Sequence, residues 1–144
     1  MTESTNKIQA RLTINSTTDN LEKIRAFVKT YADQSGFNEE NSNKIVLAAD
    51  EACTNIIKHS YKFNSEGLIK ILINFKNNKF TISIIDYGLH FDSKKIPEPN
   101  LKKYYKEKRI GGLGMFLMKK LMDEVIYSNP KNKINKVTLI KYLD

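Results

Sequence analysis

The chain has 144 residues, of which 40% are hydrophobic, and its formal net charge at pH 7 is +8. This length allows one domain with a hydrophobic core and is too short for two, so we expect a single domain over residues 1–144. The hydrophobic content disfavours a disordered chain. No apolar run is long enough to span a bilayer, and the first residues lack an apolar signal segment. We therefore expect a cytoplasmic protein without a membrane partner.

The positive charge permits a nucleic acid, an acidic protein or a phosphate-bearing ligand as partner. Most lysines are spread along the chain, which favours a general role in solubility. The exception is the segment from Ser93 to Arg109, where basic residues accumulate. The sequence has neither zinc-ligand spacing nor an aromatic-basic ribonucleoprotein motif. Nucleic-acid binding thus rests on charge alone, and we expect no nucleic-acid partner.

The first half of the chain shows one strand pattern and two helix patterns. Apolar and polar residues alternate over residues 8–14, which predicts a half-buried strand. Asp19, with an acid three residues later, predicts a helix N-cap, and Gly36 predicts the end of that helix. Asn38 predicts the cap of a second helix, which extends to about Tyr61.

The second half changes to the two-residue period of strands. Residues 69–75 and 80–84 alternate around Asn77-Asn78, which predicts an antiparallel hairpin with one face under the helices. Residues 125–127 and 137–142 predict two further strands.

Glu51 and Asn55 stand four residues apart in the second helix, so they share one helix face. A carboxylate beside a carboxamide combines a proton acceptor with an oxygen ligand for a hard cation such as Mg²⁺. The simpler interpretation is a solvated face opposite the apolar stripe. Cys53 lies on that stripe, which predicts a buried residue that acts as a small hydrophobe.

Two later stretches favour a ligand site. Asp86 and Gly88 end the second hairpin strand, where loops often carry chemistry. The long segment 92–110 has no clear periodicity and predicts a lid or a disordered loop. The run Gly111-Gly112-Leu113-Gly114 then leads into a helix, and free backbone N–H groups at a helix start suit a phosphate. A flexible hinge before a core helix is the alternative.

Three blocks thus follow one another: Glu51-x-x-x-Asn55, Asp86-x-Gly88-x-x-Phe91, and the glycine run from Gly111 to Gly114. Together they resemble the ATP-binding boxes of the Bergerat-type superfamily, and most closely those of the anti-sigma-factor serine kinases. The resemblance covers essentially the whole chain. It implies an α+β two-layer sandwich, in which three helices cover one face of a mixed, mostly antiparallel sheet.

The resemblance also implies a role for each residue of the boxes. Asn55 would hold the Mg²⁺ that bridges the ATP phosphates, and Glu51 would accept the proton of the attacking hydroxyl. Asp86 would bind the adenine amino group, with Gly88 allowing the base to approach the backbone. The remaining predicted ATP contacts are Arg109, Gly111, Gly112, Leu113 and Gly114, and residues 94–110 would form the lid. Leu89-His90 departs from the family pattern, which often has a second glycine there.

The family phosphorylates a small antagonist protein of the STAS fold and sequesters a sigma factor, usually as a homodimer. The resemblance therefore implies a serine-protein kinase and anti-sigma factor that uses ATP and Mg²⁺. One alternative is a nucleotide-binding module without kinase activity, which the presence of Glu51 disfavours. Another is a histidine kinase fragment, but the only histidines, His59 and His90, lie within the ATP-site boxes.

Overall fold

A five-stranded sheet forms one layer of the molecule and helices form the other. The computed structural model describes residues 7–88, 110–131 and 133–144. The strands are β1 Ile8–Asn15, β2 Leu68–Lys76, β3 Lys79–Asp86, β4 Glu124–Ser128 and β5 Asn135–Tyr142. Their order in the sheet is β1-β2-β3-β5-β4, and each of these neighbouring pairs is antiparallel. The α+β sandwich is confirmed, and the pairing is antiparallel throughout the described strands.

In the described part of the chain, three helices pack on one face of this sheet. They are α1 Leu21–Ser35, α2 Glu39–Asn55 and α3 Ile110–Leu121. One π-helical turn, Ile56–Ser60, continues α2. No helix in the described part of the chain is long and apolar enough to cross a membrane.

The predicted ends of α1 and α2 are largely confirmed. Gly36 ends α1 with a φ of 106°, a left-handed conformation that glycine adopts at low cost. The Asn38 side chain caps α2 by accepting a hydrogen bond from the Asn41 N–H at 2.8 Å. The helix pattern predicted up to about Tyr61 is also present, although its last turn is π-helical.

The prediction that Asp19 is the N-cap of α1 is wrong. Asp19 lies inside a short 3₁₀ turn, Thr18–Asn20, and Asn20 occupies the N-cap position. The extended residue with a capping side chain is Thr17, whose hydroxyl accepts from the Asp19 N–H at 3.4 Å. Thr17 therefore performs, for the 3₁₀ turn, the role that was predicted for Asp19.

The hairpin between β2 and β3 forms as predicted. Asn77 and Asn78 both have positive φ angles, 54° and 62°, as a two-residue type I′ turn requires. Alternate residues of β3 are buried, including Ile82, Ile84 and Asp86. Asp86 therefore points toward the helices with the core residues, and not toward solvent.

The helix α2 lies at the centre of the helical layer. It contacts α1 on one side and α3 on the other. Cys53, in its last turn, is fully buried, as predicted. Burial raises the pKa of the Cys53 thiol well above its usual range, and the charges of Asp50 and Asp86 raise it further. This thiol is therefore neutral and unreactive in the folded protein.

Candidate active site

The last turns of α2 carry Glu51, the predicted base. Glu51 is partly buried, and burial raises the pKa of its carboxyl. The negative charge of Asp50 adds to this effect, and Lys58 opposes it. Asp50 itself forms an ion pair with Arg25, at 2.8 Å between Oδ1 and Nη1. A raised pKa makes the ionised form of Glu51 a stronger proton acceptor.

Asn55 lies one turn beyond Glu51 and has an unsatisfied donor. Its Nδ2 atom is buried and has no hydrogen-bond partner among the described residues. A buried donor without a partner costs about 1–3 kcal/mol, so its presence in a folded protein calls for an explanation. A ligand that carries acceptor oxygens, such as a nucleotide phosphate, would satisfy it. The amide oxygen is the kind of ligand that Mg²⁺ accepts beside phosphates and water.

Asp86 is a buried carboxylate at the end of β3, with 3% of its surface exposed. Its Oδ1 accepts from Asn135 Nδ2 at 2.9 Å and from the Gly88 N–H at 3.0 Å. The Ser60 side chain also hydrogen-bonds it. Burial raises the pKa of Asp86, and these three hydrogen bonds oppose that rise. Because an ionised carboxylate has about four lone-pair sites, Asp86 retains the capacity to accept from a ligand amino group.

Sequence reasoning missed the amide pair that supports Asp86. Asn135 lies directly opposite Asp86 in the antiparallel pair of β3 and β5, and it is buried. Its Oδ1 accepts from Asn129 Nδ2 at 2.9 Å, which orients the amide so that its nitrogen faces the carboxylate. The available signal was an asparagine at a core-facing strand position, where asparagine is uncommon.

The turn after α2 touches the loop after β3. A Cβ atom at Gly88 would lie 2.7 Å from the Ser60 carbonyl oxygen, so only glycine fits there without a shift of the backbone. Packing within the protein therefore requires glycine at position 88, in addition to the predicted role of Gly88 in the approach of the adenine base. This contact places the end of the helix that carries Glu51 and Asn55 against Asp86.

The remaining predicted residues fall into two groups. The first group lies outside the described residues. It consists of Leu89-His90, Phe91, Arg109 and the predicted lid except Ile110. The glycine run lies within α3, which begins at Ile110 and not after the glycines. The first four N–H groups of an α-helix have no partner within it, so the backbone of residues 110–113 presents donors at the helix start.

A model of a known protein family matches most of the chain. The family is described as the histidine kinase-like ATPase domain, and the match covers residues 14–141. It extends from β1 to β5 and includes Glu51, Asn55 and Asp86. The chain belongs to this family.

Two similar proteins are serine-protein kinases named RsbW. The one from Staphylococcus aureus is 34% identical over 125 residues, which are 82% of this chain and 78% of that protein. The one from Bacillus subtilis is 29% identical over 126 residues, covering 84% and 77% of the two chains. The resemblance to the anti-sigma-factor serine kinases is confirmed, and the chain is a kinase by family.

Two solved structures share the fold. The RsbU and RsbW domains of a Mycobacterium tuberculosis protein match with a TM-score of 0.68 at 18% identity, covering 94% of this chain and 32% of that one. The SiaB-SiaC complex from Pseudomonas aeruginosa matches with a TM-score of 0.67 at 14% identity, covering 91% and 88%. At these identities the likeness concerns the fold alone, and it agrees with the two-layer architecture.

Proposed function

We propose that this protein is a serine-protein kinase and anti-sigma factor of a partner switch in the cytoplasm. It uses ATP and Mg²⁺ to phosphorylate a STAS-type antagonist protein, and it sequesters a sigma factor as a homodimer. The observation that carries this proposal is the buried Asp86 carboxylate, held against the end of the helix that bears Glu51 and Asn55. The family membership and the RsbW relatives support the same activity.

Each residue of the site has a distinct task in this proposal. Asp86 accepts a hydrogen bond from the adenine amino group, and Asn55 would hold Mg²⁺. Mg²⁺ held there would supply neutralisation of the phosphate charge. The substrate serine oxygen forms a bond to the terminal phosphorus while the bond to the ADP oxygen breaks. Glu51 takes the serine proton, which is the work of a positioned general base.

The switch follows from competition between two protein partners. Phosphorylation of the antagonist removes it as a competitor, so the kinase remains free to hold the sigma factor. The coupling depends on a difference in affinity between nucleotide states, because a ligand shifts an equilibrium only by its differential binding. A second protein bound to this fold, as in the SiaB-SiaC complex, supports the proposed STAS partner.

A nucleotide-binding module without kinase activity is the alternative. Such a module would need Asp86 and Asn55 to bind the nucleotide, but it would have no use for a general base such as Glu51. The partly buried Glu51, with its raised pKa, lies on the same helix face as Asn55 and favours the kinase.

Asp86→Asn is the test of nucleotide binding. Replacing a carboxylate that accepts from the adenine amino group removes a charge-assisted bond worth about 1.5–3 kcal/mol. We therefore expect ATP affinity, measured by calorimetry with Mg²⁺, to fall by about 10–150-fold. Asp123→Asn is a matched control, because Asp123 also accepts from a backbone N–H, that of Tyr142. Asp123 precedes β4, and Tyr142 is at the opposite end of β5 from Asn135, the partner of Asp86. Wild-type protein that binds no ATP would refute the proposed function.

A further inference from the structure

Tyr61 joins three segments around the candidate site through one hydroxyl group. It follows the π-helical turn at the end of α2 and is partly buried. Its hydroxyl donates to the Leu68 carbonyl oxygen at 2.6 Å, at the start of β2. The same oxygen accepts from the Tyr87 N–H at 2.8 Å, just after β3. The side chain thus links the end of the α2 segment to the loop that follows Asp86.

The position of this hydroxyl is fixed from two sides. The Tyr61 ring packs directly on Gly67, where a Cβ atom would overlap the ring. On the other side the chain turns sharply, with Lys62 and Phe63 in left-handed conformations at φ angles of 48° and 67°. The Phe63 N–H closes this turn by donating to the Ile57 carbonyl at 2.8 Å. Non-glycine residues adopt such angles only where the surroundings hold them.

The bond to Tyr87 acts on Asp86 directly. The Tyr87 N–H belongs to the peptide group that also contains the Asp86 carbonyl, so this bond orients the backbone of Asp86. The Gly88 N–H donates to the Asp86 side chain at 3.0 Å, a local turn that aspartate commonly forms two residues on. The backbone and the carboxylate of Asp86 are therefore each held by a separate hydrogen bond.

We propose that Tyr61 is a positioning residue for adenine recognition. Its hydroxyl fixes the peptide after Asp86 and so directs the carboxylate toward the amino group of the base. This inference rests on the proposed function, in which Asp86 recognises adenine. A purely structural Tyr61 would instead tie the loop to β2 with no effect on which base is bound.

Tyr61→Phe separates these two roles, because it keeps the ring on Gly67 and removes both hydrogen bonds. The probes are ATP and purine riboside triphosphate, which lacks the 6-amino group, each titrated with Mg²⁺ by calorimetry. We expect Tyr61→Phe to weaken ATP binding by about tenfold, the worth of a hydrogen bond. Affinity for the analogue should change by less than about twofold, because the analogue has no group for Asp86 to accept from. Tyr142→Phe is the matched control, since this hydroxyl binds Glu124 on β4, and it should change neither affinity.

Each outcome has a separate meaning. Wild-type protein that binds both nucleotides equally would refute adenine recognition by Asp86, and with it the proposed function. The role of Tyr61 would be overturned if Tyr61→Phe prefers ATP over the analogue as strongly as the wild type does. It would also be overturned if the variant loses affinity equally for both nucleotides. Either result would leave the proposed function intact. Hydrogen exchange of the Tyr87 amide in the wild type tests the same bond without any variant. We expect slow exchange, and rapid exchange would overturn the inference.

Discussion

Glu51→Gln should slow phosphorylation of the STAS-type partner by about 10²–10⁴-fold, the usual worth of a positioned base. A serine hydroxyl is a weak nucleophile at neutral pH, and glutamine cannot take its proton. The amide retains the shape of the carboxylate, so ATP affinity should remain nearly unchanged. The measurement is phosphate incorporation into the partner at saturating ATP, with nucleotide affinity determined on the same preparations.

The pH dependence of transfer provides a second measure of Glu51. Only the ionised carboxylate accepts a proton, so the rate should rise with pH as Glu51 deprotonates. Because burial and Asp50 raise the pKa of Glu51, this rise should lie above the ordinary value of 4.5. Glu51→Gln should remove this limb of the profile.

Glu40→Gln is the matched control for Glu51. Glu40 lies in the first turn of the same helix and is exposed, and among the described residues its one ion-pair partner is Lys44, at 3.7 Å. This variant should transfer phosphate at nearly the wild-type rate. Wild-type transfer by Glu51→Gln would show that Glu51 is not the base. Wild-type protein that phosphorylates no serine in the partner would favour the nucleotide-binding module.

Asn55→Ala should act differently, because it removes a proposed metal ligand and the buried Nδ2 donor together. Metal assistance to phosphoryl transfer is worth several kcal/mol, so we expect the transfer rate to fall by about 10³-fold. Unlike Glu51→Gln, this variant should also lose the enhancement of ATP binding by Mg²⁺. Titration of ATP with and without Mg²⁺ measures that enhancement directly.

The structure offers a control and a check on stability for Asn55. Asn43 is an exposed asparagine on the same helix, and Asn43→Ala should retain both Mg²⁺-dependent binding and transfer. Because Nδ2 of Asn55 has no partner among the described residues, Asn55→Ala should not destabilise the protein without nucleotide. An Asn55→Ala protein with full Mg²⁺-dependent affinity would exclude Asn55 as the metal ligand.

Features set by local sequence were predicted well. The alternation in β1 and β2, the Asn38 cap and the two-asparagine turn each depend on residues close together in the chain, where periodicity and side-chain chemistry act directly. The Asp19 error is also local. Both Thr17 and Asp19 are suitable capping residues, and the pattern alone does not show which of them has the extended backbone.

The contacts that complete the site could not be predicted in this way. Asp86 meets Asn135 only because β3 pairs with β5 in one particular register, across 49 positions of sequence. Tyr61 meets Tyr87 across 26 positions, after a π-helical turn that has no periodic signal. The resemblance located Glu51, Asn55 and Asp86, but the residues that hold Asp86 depend on strand register and on one irregular turn.

The single cysteine of this chain allows the separation of α2 from the sheet to be measured by thiol modification. Cys53 is fully exposed to a thiol reagent only when α2 separates from the sheet, and its raised pKa keeps it unreactive until then. The rate of modification therefore reports the equilibrium between closed and open forms, as amide exchange does for backbone groups. Any ligand that binds across α2 and β3 will slow that reaction in proportion to its occupancy, so the native sequence already contains a reporter of binding that needs no engineered label.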